Sequence, residues 1–270
     1  MNSQQTNPAN YAIYVEKLVK RFILMHRGGS LKRELLGVVS KLRKPVNREE
    51  FTALNEISFT VPHGETVAVI GRNGSGKSTL LGILARVYRP TSGTAQLFNP
   101  QGQAARIAPL LALDAGFHPD LTGLENIEFY GSVLGMSMAH IHERARAIVE
   151  FAELEQKIDT QLRGWNDGAK LRLGFSIAIN TDPDILLVDE VLAVGDEAFQ
   201  NKCYRLIAEL QERGKTILFV SHDLAVVERV ASRIIWMNKG VIHMDGDVNT
   251  VMAAYRSASQ NSPTDTDNSA

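Results

Sequence analysis

A single cysteine, Cys203, is the entire thiol content of this chain, so no internal disulfide can hold the fold together. It follows Phe199-Gln200-Asn201-Lys202 in a helix-like stretch. That setting favours a core or surface thiol over a nucleophile. Long apolar runs are missing too. None approaches the ~20 residues that a membrane-spanning helix needs, so any membrane role works through a partner. The opening residues Met1-Asn2-Ser3-Gln4-Gln5 carry neither the charge nor the apolar run of a secretory signal. With the lone thiol, this fits a reducing cytosol. Excess charge of one sign is absent: 29 Lys and Arg stand against 30 Asp and Glu, a net −1. That argues against a global basic field and hence against nucleic acid as a partner. There is no internal repeat. What remains is ordinary for a soluble globular protein, 44% hydrophobic and 22% charged over 270 residues. That length holds one large domain or two small ones.

The pattern along the chain predicts alternating strands and helices. Residues 1–9 are polar and expected to be disordered. Tyr11-Ala12-Ile13-Tyr14-Val15-Glu16 reads as a first strand, and Glu56-Ile57-Ser58-Phe59-Thr60-Val61 alternates as a second. The apolar, β-branched run Thr66-Val67-Ala68-Val69-Ile70 is a buried strand, and residues 94–98 form another. From Leu124 to about Ile179 the signal is mostly helical, clearest over residues 137–153, where Ile141, Ala145, Ile148, Val149 and Phe151 recur near the 3.6 period. Beyond that come a strand at 185–188, a helix at about 197–213, a strand at 216–220, a helix from Leu224 and two short strands at 234–237 and 241–244. Strands apolar on both faces, alternating with helices, mean an α/β fold with a parallel sheet covered by helices. Residues 258–270 contain no large apolar side chain and are expected to be a disordered tail.

The stretch between the first two strands, an insertion over residues 23–54, is longer than a hairpin needs. In it Leu31, Leu35, Val38, Val39 and Leu42 make an apolar stripe, with Lys32, Arg33, Lys41, Arg43 and Lys44 between and beyond, and Pro45 as the stop. This basic amphipathic helix over 31–44 points to a membrane surface or a partner groove. A solvated helix packed on its own domain fits the residues equally well.

Gly71-Arg72-Asn73-Gly74-Ser75-Gly76-Lys77-Ser78-Thr79 matches the phosphate-binding loop pattern G-x-x-x-x-G-K-[ST]. Glycines let the backbone curl so that its N–H groups converge on phosphate oxygens. Lys77 supplies a charge for the β- and γ-phosphates, and the Ser78 hydroxyl is a Mg²⁺ ligand. The loop follows a buried strand and precedes a helical pattern, and a helix N-terminus in that position favours an anion. An ordinary glycine turn lacks that context.

Downstream, Asp184-Ile185-Leu186-Leu187-Val188-Asp189-Glu190 ends a buried strand in two carboxylates. Ligands of parallel sheets sit at the carboxyl ends of the strands. Asp189 is therefore expected beside the loop as a Mg²⁺ residue, and Glu190 as the base that orients and deprotonates the attacking water. The strand at 216–220 ends in Ser221-His222-Asp223, which puts His222 at the same sheet edge, within reach of a γ-phosphate.

Together these motifs resemble the ATP-binding cassette ATPases, over about residues 14–255. The resemblance implies a P-loop core with a RecA-like parallel sheet, a small antiparallel β subdomain and an inserted α-helical subdomain at about 115–180, within a single ATPase domain at 10–257. It implies ATP and Mg²⁺ as ligands and a second ATPase subunit, in a homodimer, closing on each nucleotide. It also assigns Phe22, in Lys20-Arg21-Phe22, to adenine stacking and Asp196 to the D-loop. The segment matching the family's L-S-G-G-Q signature is Trp165-Asn166-Asp167-Gly168-Ala169. Gly168 keeps the close backbone approach, and Asn166 can donate in place of the serine hydroxyl. Asp167 sets a carboxylate near a phosphate, which weakens closure unless it is paired or turned away. The Q-loop glutamine is absent, with Asp114 the nearby polar residue. Both departures bear on hydrolysis rate, not on ATP binding.

Residues 115–123 and 189–196 are similar to those of the ATP-binding subunits of bacterial polysaccharide exporters, which serve O-antigen, capsule and teichoic-acid transport. The long insertion is similar to theirs as well, which favours a functional helix at 31–44. The implied protein is a peripheral ATPase at the cytoplasmic face of the inner membrane. It docks under a membrane-spanning permease and drives export of a lipid-linked polysaccharide. The alternatives are export of another amphipathic substrate, or a nucleotide-gated regulatory subunit with weak turnover.

Overall fold

The computed structural model describes residues 8–25, 48–111, 116–189 and 196–260. The basic helix expected over 31–44, Asp114, Glu190 and residues 261–270 lie outside the described residues.

Strand β1 (Ile13–Met25) lies between β2 (Arg48–Val61) and β4 (Ser92–Leu97) in a three-stranded antiparallel sheet. Both long strands run further than the sequence pattern indicates. Residues 23–25 and 48–54, expected to belong to the insertion, pair instead as a ladder, with Phe22 opposite Phe51 and Met25 opposite Arg48. The reason is a bulge. Lys17 and Glu56 take positive φ, 45° and 50°, and the register shifts between Val15 and Arg21. A bulge adds a residue to one strand and breaks the period-2 alternation on which a sequence reading depends. The bulge sits against Gly93, where a Cβ would come within 2.1 Å of the Lys17 carbonyl oxygen.

The second sheet has the order β5–β6–β7–β3–β8–β9. It comprises β3 (Thr66–Ile70), β5 (Ile107–Leu110), β6 (Ile185–Asp189), β7 (Thr216–Val220), β8 (Arg233–Asn238) and β9 (Val241–Asp247). All pairings are parallel except β8 with β9. β5 is short and contains Pro109, and no strand signal in the sequence marks it. Its place at the sheet edge tolerates a proline.

Each central strand feeds two cores. Leu187, Leu218, Val220, Val67 and Val69 face the antiparallel sheet and helix α1 (Lys77–Leu84). Leu186, Val188, Phe219, Ala68 and Ile70 face α5 (Glu197–Glu212), which adds Phe199, Cys203 and Ile207. Complete burial of one such side chain contributes roughly 1.5–3 kcal/mol. Burial on both faces is what the near-continuous apolar runs of these strands encode.

The inserted helices α2 (Gly123–Val133), α3 (Met138–Ala152) and α4 (Asp167–Ile179) close over their own core of Ile127, Tyr130, Ile141, Ile148, Trp165 and Leu173. Their starts are set by side-chain caps. Thr122 and Glu125 form a reciprocal capping box, Ser137 caps α3 and Asn166 caps α4. The short helix α6 (Leu224–Val230) follows Asp223, and α7 (Val248–Gln260) packs on β8 and β9. Residues 258–260, expected in a disordered tail, are the last turn of α7. Val251 and Met252 are buried there, so the sheet holds this helix even though its last turns are polar. Residues 8–10, at the edge of the polar N-terminus, form a 3-10 turn.

Candidate functional site

The loop between β3 and α1 has the form that its sequence dictates. Gly71, Gly74 and Gly76 hold φ of 148°, 77° and 104°, values that side chains disfavour. Gly71 has a second reason to lack a side chain, because a Cβ there would come within 2.2 Å of the Met237 carbonyl oxygen on β8. Gly76 is the N-cap of α1 and has no capping side chain, which leaves the first-turn N–H groups of the helix open to an anion. The Lys77 ammonium is buried and donates to the carbonyl oxygens of Gly71 at 2.7 Å and Arg72 at 3.1 Å. The cation is thus held inside the loop. The buried hydroxyl oxygen of Ser75 makes no hydrogen bond among the described residues. A polar group in that state fits a loop whose partner is an incoming phosphate.

Strand order arranges the rest. β7 lies between β3 and β6, so the strand that ends in Asp189 is not the immediate neighbour of the loop strand. Asp189 pairs in register with Val220, two residues before His222. β3, β7 and β6 therefore deliver the glycine loop, His222 and Asp189 to one sheet edge in that order. An open cleft of ≈ 430 Å³ is lined by Gly71, Arg72, Asn73, His222 and Tyr255. It joins the loop to His222, as expected, and adds Tyr255 of α7, which the sequence reading missed. Ser78 follows Lys77 in the first turn of α1. Ser78 and Asp189 are oxygen donors of the type that Mg²⁺ prefers, and Mg²⁺ bound there would neutralise charge on the β- and γ-phosphates. Among the described residues no cluster of three His, Cys, Asp or Glu forms a protein-only metal cage. Phe22 meets Tyr88 edge-on with centroids 5.7 Å apart, and the Lys20 ammonium lies 4.9 Å from its ring.

The segment at 165–169 sits at the start of α4. Asn166 Oδ1 accepts from the Ala169 N–H at 2.9 Å, which leaves the amide NH₂ as the group able to donate. The Asp167 side chain is 89% exposed, and Lys170 Nζ approaches it at 3.6 Å. Its carboxylate is stabilised by the helix N-terminus, and it points into solvent. Gly168 has open space where a Cβ would go, the nearest atom being Asn166 Oδ1 at 3.7 Å.

Asp196 caps α5 by accepting from Phe199 N–H at 3.0 Å and pairs with Arg172 of α4 at 2.6 Å. The Phe199 hydrogen bond is the larger cause holding its carboxyl below the ordinary carboxylate range, and Arg172 adds to it. Arg172 also reaches Glu153 at the end of α3, at 3.2 Å. Sequence reading missed Arg172, and it missed Asn126. Asn126 is fully buried and accepts from His118 N–H while its amide donates toward the carbonyls of His118, Leu121 and Thr122. It pins the loop entering α2. An asparagine within an apolar helix is the signal that could have found it.

A family model described as "ABC transporter" matches residues 54–193. The chain belongs to this family. The O-antigen export system ATP-binding protein RfbB of Klebsiella pneumoniae is 41% identical over 241 residues, covering 89% of this chain and 96% of that protein. The teichoic acids export ATP-binding protein TagH of Bacillus anthracis is 36% identical over 91% of this chain but 42% of its own length. In structure, a dimeric ATP-binding cassette in a post-hydrolysis state with ADP and Pi matches with a TM-score of 0.68, covering 87% of this chain and 98% of that one. At 24% identity that likeness bears on fold alone. The cassette is a nucleotide-binding ATPase of the ABC transporter family. No helix among the described residues is long and apolar enough to cross a membrane.

Proposed function

We propose that this cassette drives export of a lipid-linked polysaccharide through a separate membrane-spanning permease, working as a dimer at the cytoplasmic face of the inner membrane. The observation that carries this reading is the extent of the similarity to the O-antigen export protein of Klebsiella pneumoniae, which spans 96% of that protein and not the nucleotide motifs alone. In this reading residues 71–79 bind the triphosphate. Lys77 exchanges its loop carbonyls for phosphate oxygens. Ser78 and Asp189 hold Mg²⁺. Phe22 stacks on adenine, and Glu190 takes a proton from the attacking water while His222 contacts the γ-phosphate. Asn166, Gly168 and Asp196 of a second copy close the site from the other side. The basic segment at 31–44 meets the membrane surface or the permease.

The test is export in cells together with ATPase activity of the assembled transporter. Glu190→Gln should bind ATP, lose about 10²–10⁴ in turnover and abolish surface polysaccharide. Parent-like turnover would remove Glu190 from its role. Normal surface polysaccharide in a strain lacking the protein would remove the export reading.

A further inference from the structure

We propose that Tyr255, on the C-terminal helix, is a positioning residue of the nucleotide cleft: its phenol donates to the terminal phosphate and ties the seating of α7 to what the cleft holds. The inference rests on the ATPase reading and extends it to an element outside the nucleotide motifs. Among the described residues that line the cleft, Gly71, Arg72, Asn73 and His222 follow the neighbouring strands β3 and β7, and Tyr255 arrives from α7. Its ring meets Trp236 edge-on, with centroids 5.2 Å apart and planes at 88°. Trp236 is largely buried and pairs in register with Ile70, the residue before Gly71. The next residue of β8, Met237, supplies the carbonyl against which Gly71 is packed. A continuous packed path therefore runs from α7 through Tyr255 and Trp236 to the first glycine of the loop.

The side chain chosen for this place is informative. The hydroxyl is the one polar atom of the side chain, and a phenol O–H can donate a hydrogen bond. Beside a polyphosphate it offers a hydrogen bond without a charge. His222, which lines the same cleft, marks the part assigned to the last phosphate, so the bond separates a triphosphate from a diphosphate.

The experiment titrates the purified full chain with AMP-PNP and with ADP by calorimetry, and follows hydrogen exchange of α7 with each. In the parent, AMP-PNP slows exchange across 248–260 and ADP does not. Tyr255→Phe keeps the ring on Trp236, so the fold stays intact. The expected result is about tenfold weaker AMP-PNP binding, the scale of one hydrogen bond to a charged group, with ADP affinity unchanged and the exchange response of α7 lost. Parent-like binding and exchange in Tyr255→Phe would overturn the proposal and leave Tyr255 as packing for Trp236. Equal weakening for both nucleotides would overturn the assignment to the terminal phosphate. Lys77→Ala in the same assay separates the two readings. Loss of binding there but not in Tyr255→Phe overturns only the role of Tyr255. No loss in either variant overturns the ATP site itself.

Discussion

Lys77→Ala tests the site most directly, and the structure sets the size of the effect. An ammonium about 4 Å from a phosphate charge gains about 4 kcal/mol at an effective dielectric of 20. In the free protein, however, Lys77 already donates to Gly71 and Arg72 at 2.7 Å and 3.1 Å. Giving up those bonds costs about 1 kcal/mol each. The net contribution to ATP affinity is about 2 kcal/mol, or roughly 30-fold in Kd. Stability should fall as well, because the lysine stem is buried and two loop carbonyls lose their donor. A loss of about 1–2 kcal/mol lowers Tm by a few degrees in a domain of this size. Lys77→Met, which keeps the stem, should lose ATP affinity equally and stability less. Calorimetric titration with ATP alongside thermal unfolding measures both. A change in ATP affinity below threefold in a folded variant would refute the reasoning. So would an affinity loss that Lys77→Met restores, since volume and not charge would then be responsible.

Gly71→Ala should cost about 3 kcal/mol or more, because its Cβ meets the Met237 carbonyl at 2.2 Å, whereas Gly74→Ala has open space around it and should cost about 1 kcal/mol through its φ alone; denaturant titration ranks them. Asp167→Gly, by removing a carboxylate that is 89% exposed on α4, should raise ATPase activity a few-fold if that charge opposes closure on a phosphate, with the gain shrinking in high salt; a fall in activity with the fold intact would make Asp167 a working contact. Asp182 is held below the ordinary carboxylate range by the Lys215 hydrogen bond first and by Arg106 in support. Its contribution is therefore complete above the unfolded value near 3.8 and lost as pH falls through the lower folded value. With 57% exposure it amounts to under about 1 kcal/mol after screening, and Asp182→Asn should flatten the acid limb of the stability curve below pH 4 by that amount. Burial pushes the Cys203 thiol up to about 12, so alkylation near neutral pH should proceed only as fast as the protein unfolds; rapid labelling of the native protein would contradict its place beside Phe199.

The glycine loop, the strand before it and the helix after it were legible because each rests on local chemistry: a β-branched run, glycines where φ must be positive, and a helical repeat. The starts of α3 and α5, expected at residue 137 and at about 197, were legible for the same reason, since the caps that set them, Ser137 and Asp196, act on N–H groups three residues away. The extent of β1 and β2 was not. Paired positive-φ residues at Lys17 and Glu56 break the alternation, and what holds the strands beyond the bulge is a partner strand, which no local pattern reveals. β5 escaped notice because four residues containing a proline become a strand only beside β6.

The sequence by itself determined the chemistry available to this protein. The phosphate loop, the carboxylate ending β6 and the histidine following β7 are fixed by residue type and by their place at strand ends. The tertiary structure alone decided how these groups stand to one another. It inserted β7 between the loop strand and β6, bonded Lys77 to the carbonyls of its own loop, joined Arg172 to Glu153 and Asp196, and brought Tyr255 across from the last helix to the cleft. The physical reason is the range of the forces. Backbone preference, capping and periodicity act over a few residues and are written in the local order of the chain. Strand order, ion pairing between helices and the walls of a cleft arise from packing between segments far apart in that order, and they exist only once the apolar faces of the sheets and helices have been buried together.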